Sequence, residues 1–582
     1  MPAIITSKFR FHNAEQFKES FSEAAPTNYY LFIGRPGEFA TGTTGGTDAA
    51  PPTPADNRSS EAFHWDDMLA AKKIQSTGVT HAIPRRDLDI SGSTTYDMYK
   101  PDYSTSNTAT SGATTLFDST FYFVTSAYRV YKVLDNNNNA AFTGGTEPTS
   151  TAAAPFTIGG YTLKYMYTLS TQDVQNFLTP DFMPAPTAAE SGNARPDGAL
   201  DIIDITNDGL AGSWTTAGDR TITNIPVRGD GSGARCSVTI GGTDGSADGT
   251  VTAISVTTNG SGYTHGAVLV VDIIEQHNIQ FASAGSNTSL TFPVDPPTFE
   301  VIIGPDGGHG SNPAKELGGH FVLMDVKLTQ TEGFDFTVVN DFRQIGVVRD
   351  PYSFGTTSKY TGSTARQTKA IKLASNSGTF LVDEKISQTI PAQTVSGITV
   401  SSNTLTVTTA SAHQLTTGQT VDIDAGTFAG GQTTGHRGTH HITVTGATTF
   451  TYVVESTRAP TGSMSGTATY TTSVPEGTVV EYDASNNVLF YVQTSYDSQG
   501  TNATTKQNVP FGGNGTVTGG TSTATGVPNV SYSSALNNTT FAAGYATPEM
   551  QPDSGDVLYI ENRKPISRAS DQTEDVKLIV EF

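Results

Sequence analysis

The chain has a single cysteine, Cys236, among its 582 residues, so no disulfide can form within it. Such a composition suits folding in a reducing compartment. Charge is scarce, at 15% of residues, and positive charge is scarcer still: 33 Lys+Arg stand against 55 Asp+Glu, for a formal net charge of -22. Nucleic acids and anionic membranes are bound by clustered basic residues that release counterions. No such cluster occurs, so neither is an expected partner; the acidity instead favours solubility. No apolar run reaches the roughly 18 residues that a membrane helix needs. Between Met1 and Arg10 the apolar patch Ala3-Ile4-Ile5 is too brief for the core of a signal peptide. A soluble chain with no visible export signal is expected. Catalytic signatures are missing too, with no GxSxG elbow, no HExxH and no Walker loop. No enzyme, no cofactor and no small-molecule substrate are expected.

What is present points to strands. The chain is 36% hydrophobic and 9% aromatic, enough for packed cores. Threonine, serine, glycine and asparagine fill the place of the missing charges; threonine favours strands, the others the turns between them. The expected class is mostly β with minor α (α+β). At about 150 residues per domain the length allows three or four compact units.

Periodicity places the elements. A helix is expected after Asn13, with Gln16 in capping-box position and Ala14, Phe17, Phe21 and Ala24 at helical spacing before Pro26. A strand covers Tyr29 to Ile33, and a second helix Glu61 to Ile74. Phe121 to Leu134 reads as a strand or hairpin, Tyr161 to Tyr167 as a strand, and Asp173 to Leu178 as a short helix closed by Pro180. Strands follow at Cys236 to Ile240, Val251 to Val256 and Phe321 to Leu328. Five short alternating strands crowd together at Ile398–Val400, Leu405–Val407, Val421–Asp424, Ile442–Val444 and Phe450–Val453, the spacing of a small β-sandwich. The segments on either side, Phe380 to Glu384 and Gly477 to Tyr482, are expected to share one sheet with Val488 to Val492. The last strands are Val557–Ile560 and Val576–Val580. The expected organisation is an α+β region at 1–185, a β-hairpin-rich region at 186–330, a C-terminal β domain from 331–390 plus 473–582, and an inserted β-sandwich-like module at 391–472.

Several clusters bear on chemistry. His436, His440 and His441 beside Arg437 suggest a metal site, but a tetrahedral site needs three or four converging ligands. His440 and His441 would face opposite sides of a strand, so polar surface is the expected reading and no metal is assigned. Asp204, Asn207 and Asp208 before Gly209, and Asp230 between Gly229 and Gly231, offer oxygen ligands for calcium; beside glycine they are turn formers first. Paired carboxylates for glycan hydrolysis stand about 5 to 9 Å apart. Asp325 with Asp335 is one of many such candidates in an acidic chain, and no catalytic residue is assigned. Near the C-terminus Arg563, Lys564 and Arg568 lie among Glu561, Asp571, Glu574 and Asp575. Either Arg563 or Arg568 pins the last strand to the loop before it through a bidentate contact, or they form ordinary surface pairs. The tyrosine-rich runs Tyr96 to Tyr99 and Tyr122 to Tyr131 serve core packing first and interface patches second.

Longer strings carry a resemblance. SKFRFHNAEQFKESF (Ser7 to Phe21), YYLFIGR (Tyr29 to Arg35), YDMY (Tyr96 to Tyr99), FYFVTSAYRVYKVLDN (Phe121 to Asn136) and LKYMYTLS (Leu163 to Ser170) occur in that order. GHGSNPAKELGG (Gly308 to Gly319), NDFRQIGVVRDP (Asn340 to Pro351) and YIENRKPISRASDQTEDVKLIVEF (Tyr559 to Phe582) follow. Together they resemble the baseplate wedge subunit called gene product 8 in T-even-type myophages, most closely its longer cyanophage versions. The 391–472 insert and the long Thr/Gly loops depart from the shorter members. The resemblance implies a two-layer β scaffold with helical additions that forms a homodimer and binds other wedge proteins in the tail baseplate of the virion. It implies assembly in the host cytoplasm and a hold on the baseplate until host contact. The alternative, a receptor- or glycan-binding tail adhesin, would place its binding surface on the insert, whose aromatics are chiefly Phe428, Phe450 and Tyr452.

Overall fold

The computed structural model describes residues 5–40, 45–189, 192–210, 219–241, 249–281, 290–292, 295–329, 336–423, 426–428, 435–465, 468–472, 474–494 and 508–582. Strand outweighs helix, 41% against 10%, so the chain is mostly β with minor α. It divides into two compact units. One comprises Met1–Ser22, Ser76–Asp325 and Lys577–Phe582, the other Glu23–Gln75 and Val326–Val576.

The first unit is centred on a four-stranded antiparallel sheet in the order Tyr122–Val124, Arg129–Asp135, Tyr161–Thr168, Phe156–Ile158. The aromatic run between Phe121 and Leu134 folds into its first hairpin, turning at Tyr128. Phe123 stands opposite Tyr131, which stands opposite Tyr165. These rings, with Tyr96, Tyr99, Phe142 and Tyr161, form one buried cluster, so the tyrosines at 96, 99, 122 and 131 are core residues. Their hydroxyls find acceptors: Tyr122 donates to the Pro84 carbonyl at 2.8 Å and Tyr161 to that of Ala140 at 2.7 Å. Asp97 is buried and collects the backbone and hydroxyl donors of Ser111 and Thr120. A second core lies under three strands, Arg220–Pro226, Arg235–Ile240 and Val251–Thr258, and includes Cys236.

The second unit holds a five-stranded antiparallel sheet in the order Thr364–Arg366, Met68–Lys73, Tyr29–Gly34, Phe342–Arg349, Asp556–Ile566. Tyr29–Gly34 is central and every residue in it is buried, which is why it reads as a continuous apolar run. Beside it, six strands close on themselves: Lys369–Ser377, Val488–Val492, Glu476–Asp483, Lys385–Thr389, Thr516–Gly519 and Thr525–Pro528. Closure comes from the strand Lys369–Ser377, whose first half pairs with Val488–Val492 and second half with Thr525–Pro528. Closing a sheet removes its exposed edges. Between two neighbouring strands of this ring, paired at Ser387 and Glu476, the chain leaves to form two further sheets of four and three strands. Ile398, Leu405, Phe450 and Tyr452 of one share a core with Val421, Ile423 and Tyr470 of the other.

Several local expectations are corrected. The first helix runs Ser7–Glu19 with Thr6 as its cap, the hydroxyl accepting from Phe9 N; Asn13 is interior, and its spacing to Gln16 only imitates a capping box. The second helix ends at Asp67, and Met68–Lys73 is a strand paired with Tyr30–Gly34. Met68 to Ala71 are all buried, so the apolar run that suggested one long helix marks an inner strand. Phe380–Glu384 is a turn, with Asp383 at φ 64°, and the strand in the shared sheet is Lys385–Thr389. The Glu384 carboxylate holds that turn by accepting from Leu381 N, Thr521 N and Ser522 N. The expected strand Ile442–Val444 begins one residue later, as Thr443–Gly446, and an unexpected strand, Gly438–His441, precedes it. The helix Val270–Phe281 was not expected, because its β-branched start lowers helix propensity. Burial of Ile273 and His277 on one face and the bidentate contact of Arg228 with Asp272, at 2.9 and 2.6 Å, outweigh that propensity.

Candidate assembly surface and its buried polar support

Lys132 and Lys164 stand directly opposite each other on adjacent strands of the first unit, and both are fully buried. Two ammonium groups inside an apolar core require acceptors. Lys132 Nζ is paired with the Glu316 carboxylate and sits 4.7 Å over the ring of Tyr99. Glu316 ends the short helix Pro313–Glu316 and also accepts from Gly310 N at 2.8 Å and Asn312 N at 3.1 Å. Lys164 Nζ donates to the Tyr165 carbonyl at 2.8 Å, the Asn193 carbonyl at 2.9 Å and Asn193 Oδ1 at 2.8 Å. The Asn193 amide in turn donates to the carbonyls of Tyr165 and Met166, at 3.0 and 2.8 Å. Burial, then the neighbouring Lys132 cation, pushes the Lys164 ammonium down to about 8, with Glu316 opposing. His309 packs edge-on against Tyr99 at 5.0 Å; burial and the cations of Lys132, Lys164 and Arg195 hold its imidazole neutral, well below its ordinary range. His309 and Glu316, from the string Gly308 to Gly319, are thus spent inside the fold.

Above this support, Tyr99 and Glu316 also line a cleft of about 540 Å³ with Phe11, Tyr103, Leu116 and Phe117. Its charged residues Lys8 and Lys315 both reach Asp306, at 3.0 and 3.5 Å. Exposed Ile5 and Phe9 lie a helical turn apart on or beside the helix that contributes Lys8 and Phe11. Aromatic walls with a charged rim can seat an apolar side chain of a protein partner.

The residues weighed in the sequence lie elsewhere. His436 is buried against Phe428, ring centroids 4.7 Å apart, and His440 stacks on Tyr452 at 4.3 Å. His441 Nδ1 contacts the Gly418 carbonyl at 3.2 Å. The polar-surface reading is therefore corrected: His436 belongs to the insert's interior and His440 to its aromatic packing. Among the described residues, no group of three or more His, Cys, Asp or Glu side chains is placed to hold a metal ion. Asp230 bridges a turn, accepting from Thr264 N and Oγ1 at 2.9 and 2.6 Å and from His265 N at 3.2 Å. Asp204 pairs with Lys100 at 3.1 Å, and Asn207 donates to Asp295 at 2.8 Å. Asp325 pairs with Lys577 at 3.2 Å; Asp335 lies outside the described residues.

Of the two C-terminal arginines, Arg568 does the pinning. Its Nε and Nη2 lie 2.9 and 2.8 Å from the Glu574 carboxylate, in the last strand, and Nη1 donates to the Thr337 carbonyl at 2.9 Å. Arg563 makes a half-exposed pair with Glu561 on its own strand. The insert's aromatics Phe428, Phe450 and Tyr452 are all buried.

Sheets around paired buried charges, with an aromatic cleft beside them, suit a scaffold that docks protein partners. Residues 3–153 match the family described as Bacteriophage T4, Gp8, a baseplate wedge subunit, in agreement with the motif resemblance. No curated protein matches the chain. The match supports a structural subunit of the phage baseplate wedge, located in the virion tail and in contact with other baseplate proteins, and no finding favours an adhesin. Among the described residues no helix is long and apolar enough to cross a membrane.

Proposed function

We propose that the chain acts as a homodimeric wedge subunit of a myophage of the T-even or cyanophage type, made late and assembled in the host cytoplasm. It carries no catalytic activity, and its contacts with neighbouring wedge proteins rearrange when the tail meets the host. The observation that carries this reading is the family match over residues 3–153. That segment supplies most of the aromatic core and most of the cleft lining, among it Lys8, Phe11, Tyr99 and Phe117. Packed interfaces that switch between discrete arrangements are the usual basis of such triggers.

The reading keeps four regions, 1–185, 186–330, 331–390 plus 473–582, and 391–472. Separate apolar clusters between Leu200 and Leu290 and between Ile390 and Tyr470 support it. Replacing 391–472 by a short linker is expected to leave a cooperatively unfolding chain, because Lys385–Thr389 and Glu476–Asp483 are already paired neighbours. Loss of cooperativity would count against that division. The function itself is tested by light scattering after size exclusion, followed by mixing with purified wedge proteins. A dimer that enters a larger complex is expected; a trimer that binds host glycan would replace the proposal with the adhesin.

A further inference from the structure

We infer that Lys164 and Asn193 form an intramolecular isopeptide bond, a covalent staple between the strand Tyr161–Thr168 and the segment after the strand Phe182–Pro184. The amine and the amide are already in contact: Lys164 Nζ lies 2.8 Å from Asn193 Oδ1. Both side chains are buried, Lys164 at 0% and Asn193 at 4% exposure, so bulk water does not compete for the amide carbon. Two hydrogen bonds from Asn193 Nδ2, to the Tyr165 and Met166 carbonyls, fix the amide plane and keep Oδ1 turned toward the amine. A Cβ on Gly310 would stand 3.2 Å from Lys164 Nζ, so glycine at 310 leaves the amine room to move onto the carbon.

The chemistry balances without a co-reactant. A proton leaves the Lys164 ammonium, the freed Nζ adds to Asn193 Cγ, the Cγ–Nδ2 bond breaks, and Nδ2 departs as ammonium carrying that proton and the second Nζ hydrogen lost on amide formation. No atom is oxidised or reduced. The surroundings favour the first step. Burial and Lys132 lower the proton affinity of Lys164, which increases the share of the nucleophilic free amine near neutral pH. The proton passes to the departing Nδ2, which leaves as ammonium, so no side chain has to keep it. Glu316 holds Lys132 in place and so leaves Lys164 as the amine that reacts. A staple here would resist mechanical separation of the segment leading to the hairpin-rich region.

The test is the intact mass of the full chain, purified and denatured, followed by peptide mapping. The expected result is a mass below the sequence mass by one ammonia, and a branched tryptic peptide joining the segments of Lys164 and Asn193. Lys164→Arg is expected to restore the lost ammonia. The full sequence mass in the wild type, an ammonia loss mapped to another asparagine, or a loss that persists in Lys164→Arg would each overturn the inference. The wild-type mass needs no variant to fold, so the first result decides.

Discussion

The core of the first unit and the small sheets between Val395 and Thr472 are both β, yet they are held in different ways. The first packs tyrosines around buried charges, with Lys132, Lys164, Glu316 and Asp97 each given fixed partners. The second packs Ile398, Leu405, Val407 and Phe450 on one side of a sheet and sets Thr399, Thr406, Thr451 and Thr443 in a row across its four strands on the other. An apolar core tolerates any set of side chains of the right volume, whereas a buried charge tolerates almost no change of partner. The lesson is that the charges placed inside the first unit, Lys132, Lys164 and Glu316, are the ones given fixed partners.

The sharpest way to break the comparison is Glu316→Ala. Removing it strands Lys132 in the core, and the expected loss is about 3–5 kcal/mol, read as the shift in denaturant midpoint of the intact chain. A loss no larger than that of a surface change would show that water reaches Lys132. Next comes Leu405→Ala in the insert, where a cavity of ordinary kind is expected to cost about 2–4 kcal/mol. Hydrogen exchange should confine that loss to the insert's strands; equal loss of protection in the ring of Lys369–Ser377 would mean the two fold as one.

Arg568→Ala tests the pinned C-terminal strand. Its guanidinium is buried and bonded to Glu574 and Thr337, and the expected cost is about 2 kcal/mol, together with faster exchange in Thr573–Glu581. Unchanged melting and unchanged assembly would reduce the contact to an ornament. A further effect is one of pH. His81 is fully buried, donates from Nδ1 to the Gly319 carbonyl at 2.9 Å, and stacks on Phe11; burial lowers its pKa from 6.5 to about 4. The unfolded chain therefore binds the extra proton first, and stability is expected to fall as pH drops from 6.5 toward 4 and level off below. His81→Asn should flatten that slope in the first unit; an unchanged slope would assign it to other groups, His309 foremost.

How much of this was legible follows from the same contrast. Alternation located the strands Val395–Ser401, Thr404–Thr409, Thr420–Ile423, Thr443–Gly446 and Thr449–Val453, because a half-buried strand writes its burial into every second position, but it left Gly438–His441 and Tyr470–Thr472 unmarked. The strand Met68–Lys73, buried from Met68 to Ala71, reads as helix, since burial on both faces erases the period. The helix Val270–Phe281 went unseen because Ile273, His277 and the Arg228–Asp272 contact, none local in effect, outweigh its β-branched residues. The closed ring depends on one strand dividing its partners between Val488–Val492 and Thr525–Pro528, a pairing that no local pattern records.

The amino-acid sequence by itself determined the class of the protein, its acidity, the strand-rich insert and, through long polar strings, its likeness to a wedge subunit. Only the tertiary structure decided that Lys132 meets Glu316 and Lys164 meets Asn193, that Arg568 rather than Arg563 holds the last strand, and that His436 is interior. Composition and period are properties of neighbouring residues, whereas the partner of a buried charge is chosen by contacts between segments as far apart as residues 132 and 316, where the low dielectric makes one pairing far better than any other.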